Sequence, residues 1–220
     1  MIAVGLTGGI GSGKSTVSTA LLSRGAVLVD ADAITKSLQE PGMPVFVAMV
    51  ERFGEGIVGA DGTLDRAAVA DIVFNDSEAL ADLNKIVHPK VGEAILQAIA
   101  AAGEDDVVLL DIPLLVEGIK DGKPRYDVSG ILVVDVPVET QVARLLEHRG
   151  FDEADARARI ANQASRERRL EVADFVIDNS GSVDDLAPQI EAAWEWMRAL
   201  PVTGSAETAD DSPSEGDPES

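Results

Sequence analysis

The sequence predicts an α/β protein with a five-stranded parallel sheet and helices on both faces. Three observations carry this reading. Five short runs rich in Val, Ile and Leu, at 2–6, 27–29, 107–111, 131–135 and 175–177, are bounded by polar or turn residues. Helical patterns separate those runs, and alternation of strand and helix implies right-handed βαβ units. Hydrophobic residues make up 45% of the chain but aromatics only 4%, so the core must rest on aliphatic side chains. Strands buried on both faces have that composition.

The elements follow in order. The run 2–6 leads through glycines into a helical pattern at 14–23, and 27–29 comes next. Residues 33–104 then hold four helical stretches, at 33–39, 44–52, 66–74 and 78–102. The last is expected to be interrupted at His88-Pro89, because a proline biases the residue before it away from helix. The intervening loop, 53–64, is broken by Gly54, Gly56, Gly59 and Gly62. This stretch is read as a helical insertion over the carboxyl edge of the sheet, where open α/β sheets hold their ligands. The runs 107–111 and 131–135 follow, then helices at 138–147 and 154–164. The fifth run, 175–177, leads past Gly181-Ser182 into a helix at 183–200. These boundaries divide the chain into a core (1–32 and 105–200), the insertion (33–104) and a tail (201–220). The tail carries six acidic residues and no base and is rich in Ser, Pro and Gly. It is expected to be disordered.

Composition excludes several function classes. There is no cysteine among the 220 residues, which removes disulfides, thiolate metal sites and cysteine nucleophiles. The net charge of −21 argues against nucleic acid as a partner. No apolar run approaches the length of a membrane span, and the short apolar start lacks a basic leader, so no membrane association and a cytoplasmic location are expected.

Residues 8–15 read Gly-Gly-Ile-Gly-Ser-Gly-Lys-Ser. This is the phosphate-loop pattern in its proper setting, after an apolar run and before a helix. Gly9, Gly11 and Gly13 let the backbone turn so that successive N–H groups, that of Ser12 among them, converge on phosphate oxygens. The helix N-terminus adds partial positive charge. Lys14 reaches the β- and γ-phosphates, the Ser15 hydroxyl is placed for Mg²⁺, and Thr16 can donate to a phosphate. ATP or GTP binding follows.

Other groups fall at strand ends and on one helical hairpin. The second run ends in Asp30-Ala31-Asp32, where a carboxylate can take the proton of an attacking hydroxyl. Asp32 is equally suited by spacing to cap a helix beginning near Ala33, with Asp30 in the turn. Asp111 closes the third run as a carboxylate on the Mg²⁺ side does, although strands often end in Asp. Seven of the twelve arginines lie between Arg144 and Arg169. Such a cluster suits a lid, at about 145–170, that closes over a transferring phosphoryl group. For any single arginine a solvated helix face with i,i+4 ion pairs is the commoner outcome.

These motifs occur in series with others: Asp61-Gly62-Thr63-Leu64-Asp65-Arg66, His88-Pro89, Pro113-Leu114-Leu115-Val116-Glu117, Gln163-Ala164-Ser165-Arg166-Glu167 and Ala173 through Asn179. The series resembles the dephospho-CoA kinase family from Met1 to about Leu200. The resemblance implies a three-layer, P-loop nucleotide-kinase-like fold with a helical CoA-side domain and a lid. It implies transfer of the γ-phosphate of ATP, with Mg²⁺, to the ribose 3′-hydroxyl of dephospho-CoA by a monomer or weak homo-oligomer. By the same resemblance Asp32 matches the proposed base, Lys14 the phosphate-loop lysine and Arg144 a lid arginine at the ATP phosphates. Asn179 falls near the adenine, while Arg66, His88, Leu114, Leu115 and Glu117 fall near the acceptor. The stretch 118–125, with Lys120, Lys123 and Arg125, is more basic than the pattern. It is read as a solvated loop, with contact to the acceptor's pyrophosphate as the alternative.

Two other readings share the phosphate loop. Another small-molecule or nucleotide kinase would show the same loop and lid. A GTP-dependent switch would need an Asp-x-x-Gly after the third run and an Asn-Lys-x-Asp after the fourth. Here Asp111 is followed by Ile112-Pro113-Leu114, and Asp135 by Val136-Pro137, so neither is present.

Overall fold

The computed structural model describes residues 1–119 and 124–204. Lys120, Lys123 and the acidic residues of the tail therefore lie outside the described residues. The strands are β1 (Ile2–Gly8), β2 (Val27–Asp30), β3 (Val107–Asp111), β4 (Gly130–Asp135) and β5 (Phe175–Asp178). They form one sheet in the order β2-β3-β1-β4-β5, and every neighbouring pair is parallel. The α/β reading and all five strands hold. Each observed strand begins within a residue of its expected start.

Alternation along the strands sorts the side chains into two layers. Val4 and Leu6, Leu109, Leu132 and Val134 face α1 (Lys14–Leu22) and α9 (Val183–Arg198), where Val17, Leu21, Leu186, Ile190 and Met197 meet them. Ala3, Val108 and Leu110 face the other way, onto Ile95 of α5 (Ser77–Ala100). Ile131 and Val133 complete that second face with Leu115. Gly130 opens β4 against the indole of Trp196. A Cβ there would lie 2.9 Å from the ring. Gly130→Ala is therefore expected to lower the unfolding free energy by about 1–3 kcal/mol, read as a lower denaturation midpoint, while ATP binding persists.

Between β2 and β3 the chain forms α2 (Ala31–Leu38), α3 (Pro44–Phe53), a short 3₁₀ turn (Glu55–Ile57), α4 (Arg66–Asn75) and α5. These helices share a small core of their own around Val45, Met49, Ile57, Val69 and Val87. Asp65 caps α4 and Asp76 caps α5, each carboxylate accepting two backbone N–H bonds.

The expected interruption at His88-Pro89 does not occur. Helix α5 runs through Pro89 without a break, so His88 is helical. A proline inside a helix removes one hydrogen bond and costs about 3 kcal/mol. Packing of α5 against α2, α3 and α4 and against the sheet face outweighs that local preference. After α6 (Val138–Arg149), the expected helix at 154–164 is present as α7 (Glu153–Ala161), three residues shorter at its end, and a further short helix, α8 (Arg166–Glu171), follows it. Asp152 and Ser165 supply the two caps.

The first residues of the expected tail are anchored. Thr203 accepts the backbone N–H of Ala3 at 2.7 Å, donates its own N–H to Met1, and its hydroxyl meets Ser129 at 2.8 Å. Residues 201–204 thus lie against the amino end of the sheet, away from the strand ends that carry the phosphate loop. The acidic composition that suggested disorder begins only at Glu207.

Candidate active site

The phosphate loop joins β1 to α1. Gly11 and Gly13 adopt φ of 76° and 85°, which side chains beyond glycine resist. Gly13 stands at the N-cap of α1 and provides no side-chain cap, so the first amides of α1 remain open toward an anion. The loop is clamped from the β4–α6 side of the sheet. Gln141, buried on α6, donates through Nε2 to the Ile10 carbonyl at 2.8 Å. Gln163, between α7 and α8, accepts the Ile10 N–H at 2.8 Å. Asn179, just past β5, donates to Ser12 O at 2.7 Å.

These approaches leave no room for larger residues. A Cβ on Gly9 would fall 2.0 Å from Gln141 Nε2 and 2.8 Å from Arg169 Nη2. One on Gly13 would fall 2.2 Å from Asn179 Nδ2. Gly9→Ala is accordingly expected to weaken ATP binding at least about tenfold, roughly the loss of one hydrogen bond to a charged group. Titration of ATP into the folded variant measures it, and unaltered affinity would show that the clamp yields freely.

Lys14 is ion-paired with Asp111 at the end of β3. Burial pushes the Asp111 carboxyl above its ordinary range, the Lys14 ammonium pulls it down, and the charges of Asp30 and Asp32 add to the rise. Three carboxylates and one lysine therefore share the carboxyl edge of the sheet.

The two aspartates of the second strand separate cleanly. Asp30 is the N-cap of α2, its Oδ1 accepting the Ala33 N–H at 2.9 Å. The helix begins two residues earlier than the spacing suggested. Asp32 sits in its first turn and has no capping duty, so of the two roles its spacing allowed, the cap falls to Asp30. Its side chain lines two cavities. One, of about 720 Å³, is bounded by the phosphate loop, Asp111, Arg144 and Asn179. The other, of about 500 Å³, is bounded by α5 and by residues 112–118. Asp32 and Pro113 belong to both.

The arginine cluster divides in the same way. Arg157 pairs with Glu139 and Glu153, Arg159 with Asp155, and Arg168 with Glu171, all at the surface. Arg166 grips the buried Asp135 through Nε and Nη2, at 2.7–3.0 Å. Three remain near the loop. Arg144 lies on α6, ahead of the α7–α8 hairpin, and donates to the carbonyls of Asn179 at 2.7 Å and Ser12 at 3.3 Å. Arg149 lines the larger cavity. Arg169 is 5% exposed beside Gly9, and burial lowers its guanidinium pKa against the attraction of Glu117 and Asp135.

Of the residues expected near an acceptor, His88, Leu114, Leu115 and Glu117 line the smaller cavity. Glu117 also accepts the Ala164 N–H at 2.7 Å and so ties this wall to the hairpin. Arg66 lines neither cavity. It is exposed and donates to Gln39 Oε1 at 2.6 Å. Gln141 is the loop-facing group that sequence reasoning did not single out, and Gln163 and Arg169, named only within a motif and a cluster, were given no contact with the loop. The signal for Gln141 is a polar residue on the face of α6 that also buries Val142 and Leu145.

The family profile described as dephospho-CoA kinase matches residues 2–185. The chain belongs to the dephospho-CoA kinase family. It is 49% identical over 198 residues to a dephospho-CoA kinase of Thermobifida fusca, covering 90% of this chain and 97% of the relative. With a dephospho-CoA kinase of Streptomyces avermitilis it shares 48% over 195 residues, 88% and 93% of the two chains. A crystal structure from Thermus thermophilus superposes with a TM-score of 0.74 at 34% identity, over 89% of this chain and 97% of that one. As a member of the dephospho-CoA kinase family, the chain is a phosphotransferase on a P-loop fold. Among the described residues no helix is long and apolar enough to cross a membrane.

The donor set fits Mg²⁺. Ser15 offers a hydroxyl and Asp30, Asp32 and Asp111 offer carboxylates around the larger cavity. Among the described residues no group of three or more His, Cys, Asp or Glu is gathered as a metal cage. Mg²⁺ with a nucleotide needs no such cage, because one or two protein oxygens, phosphates and water complete its octahedron.

Proposed function

We infer that the chain transfers the γ-phosphoryl group of ATP to the ribose 3′-hydroxyl of dephospho-CoA, giving CoA and ADP. The observation that carries this reading is the position of Asp32, on the wall shared by a phosphate cavity and an apolar cavity. A hydroxyl delivered from the smaller cavity meets a phosphate held in the larger one beside that carboxylate.

In this mechanism the loop amides not already bonded within the protein, those of Gly11, Gly13, Lys14 and Ser15, cradle the phosphates, and Lys14 holds the β- and γ-phosphate oxygens. Asp32 accepts the proton of the 3′-hydroxyl as its oxygen bonds to γ-phosphorus, and the bond to the β–γ bridging oxygen breaks, leaving ADP. Ser15 and Asp111 would hold Mg²⁺, which neutralises charge developing on the phosphates. Arg144 keeps the loop and Asn179 in register and adds positive charge at the nucleotide. His88, Leu114, Leu115 and Glu117 hold the acceptor. The proposed working state is a monomer or weak homo-oligomer in the cytoplasm.

The test supplies Mg-ATP with 3′-dephospho-CoA, AMP or adenosine and follows ADP and the phosphorylated acceptor. Dephospho-CoA is expected to give the highest kcat/KM, with activity lost on chelating Mg²⁺. A preference for AMP or adenosine would move the protein to the nucleotide or nucleoside kinases.

A further inference from the structure

We propose that Arg125 recognises the acceptor's pyrophosphate. It lines the smaller cavity, whose other walls are largely apolar, with Val87, Val91, Ile95 and Leu115 among them. The guanidinium lies 5.7 Å from the centre of the Tyr126 ring, within cation–π range. Gly92 on α5 provides the notch that admits it, since a Cβ there would lie 3.2 Å from Arg125 Nη2.

Arg125 has no carboxylate partner among the described residues, in a chain with 39 acidic and 18 basic residues. Its planar donors are held by an aromatic face and a backbone notch instead. Arg125 is exposed, and a guanidinium oriented in this way beside an apolar wall, with no ion pair among the described residues, presents a fork matched to phosphate oxygens. Asp32 and Arg125 belong to one cavity. An acceptor with its hydroxyl at Asp32 and its anionic linkage at Arg125 satisfies both. Neutral nucleosides offer nothing to the second group, so Arg125 determines specificity between acceptors with and without a 5′-pyrophosphate.

This rests on the acceptor assignment above, and the test separates the two. Wild type, Arg125→Ala and Arg125→Lys are saturated with a non-hydrolysable ATP analogue, then titrated with dephospho-CoA and with adenosine. Arg125→Ala is expected to weaken dephospho-CoA on the order of 10- to 100-fold and leave adenosine within about twofold. Arg125→Lys, which keeps the charge without the fork, should fall between. Equal losses for both ligands would assign Arg125 to packing of the cavity and overturn the proposal, as would no loss for either. Wild type that binds the ATP analogue but not dephospho-CoA would overturn the acceptor assignment itself, and this proposal with it.

Discussion

Replacing Lys14 by methionine is expected to lower kcat/KM for ATP on the order of 10²- to 10³-fold, the effect of deleting one preorganised donor to a transition-state charge. Among the described residues Lys14 is the only lysine lining the larger cavity, and its ammonium is already drawn to the carboxyl edge of the sheet by Asp111. Methionine keeps the length and most of the volume of the side chain, so α1 should still dock on the sheet. It also leaves Asp111 buried without its cation, and that carboxyl, already raised by burial, should bind its proton more strongly still. Steady-state ADP release with dephospho-CoA as acceptor measures the loss, and a thermal melt checks the fold. A loss under tenfold would show that the loop amides and Mg²⁺ stabilise the transition state without Lys14.

Asp32→Asn is expected to lower kcat on the order of 10²- to 10⁴-fold, as loss of a general base does. KM for ATP and for dephospho-CoA should stay within a few-fold. The substitution preserves shape, and the cap of α2 is Asp30, so the helix start is untouched. A structural role for Asp32 would lower stability and both affinities together. A catalytic one lowers kcat alone.

Much of this arrangement was legible in the residues. The strands are short aliphatic runs with polar ends, and burial on both faces leaves them little alternative. The phosphate loop is legible because Gly11 and Gly13 must adopt left-handed φ. What failed was local preference against tertiary packing. Pro89 argued for a helix break, and the packing of α5 on its neighbours carried the helix through. Spacing left Asp32 open between cap and base because a helix start is uncertain by a residue or two. A shift from Ala33 to Ala31 handed the cap to Asp30.

Side chains that act across the chain were the least legible. Gln163 meets Ile10 across 153 residues, and Gln141 across 131. No local pattern announces such a contact. The arginines between Arg144 and Arg169 look alike in sequence. Only their partners separate the surface pairs of Arg157, Arg159 and Arg168 from Arg144 and Arg169 at the loop. In sequence Arg125 reads as part of a solvated loop; it is exposed, and its place beside the Gly92 backbone, the Tyr126 ring and the smaller cavity is what no local pattern shows.

The most direct test mixes [γ-³²P]ATP, Mg²⁺ and 3′-dephospho-CoA with excess enzyme, quenches within one turnover, and measures label in CoA. Wild type, Asp30→Asn and Asp32→Asn are run together, since asparagine at residue 30 still caps α2. Label should enter CoA rapidly with wild type, with a far smaller loss for Asp30→Asn than for Asp32→Asn, which should transfer almost none while still binding both substrates. Rapid transfer by Asp32→Asn, or a greater loss with Asp30→Asn, would contradict the assignment of Asp32 as the group that receives the acceptor's proton.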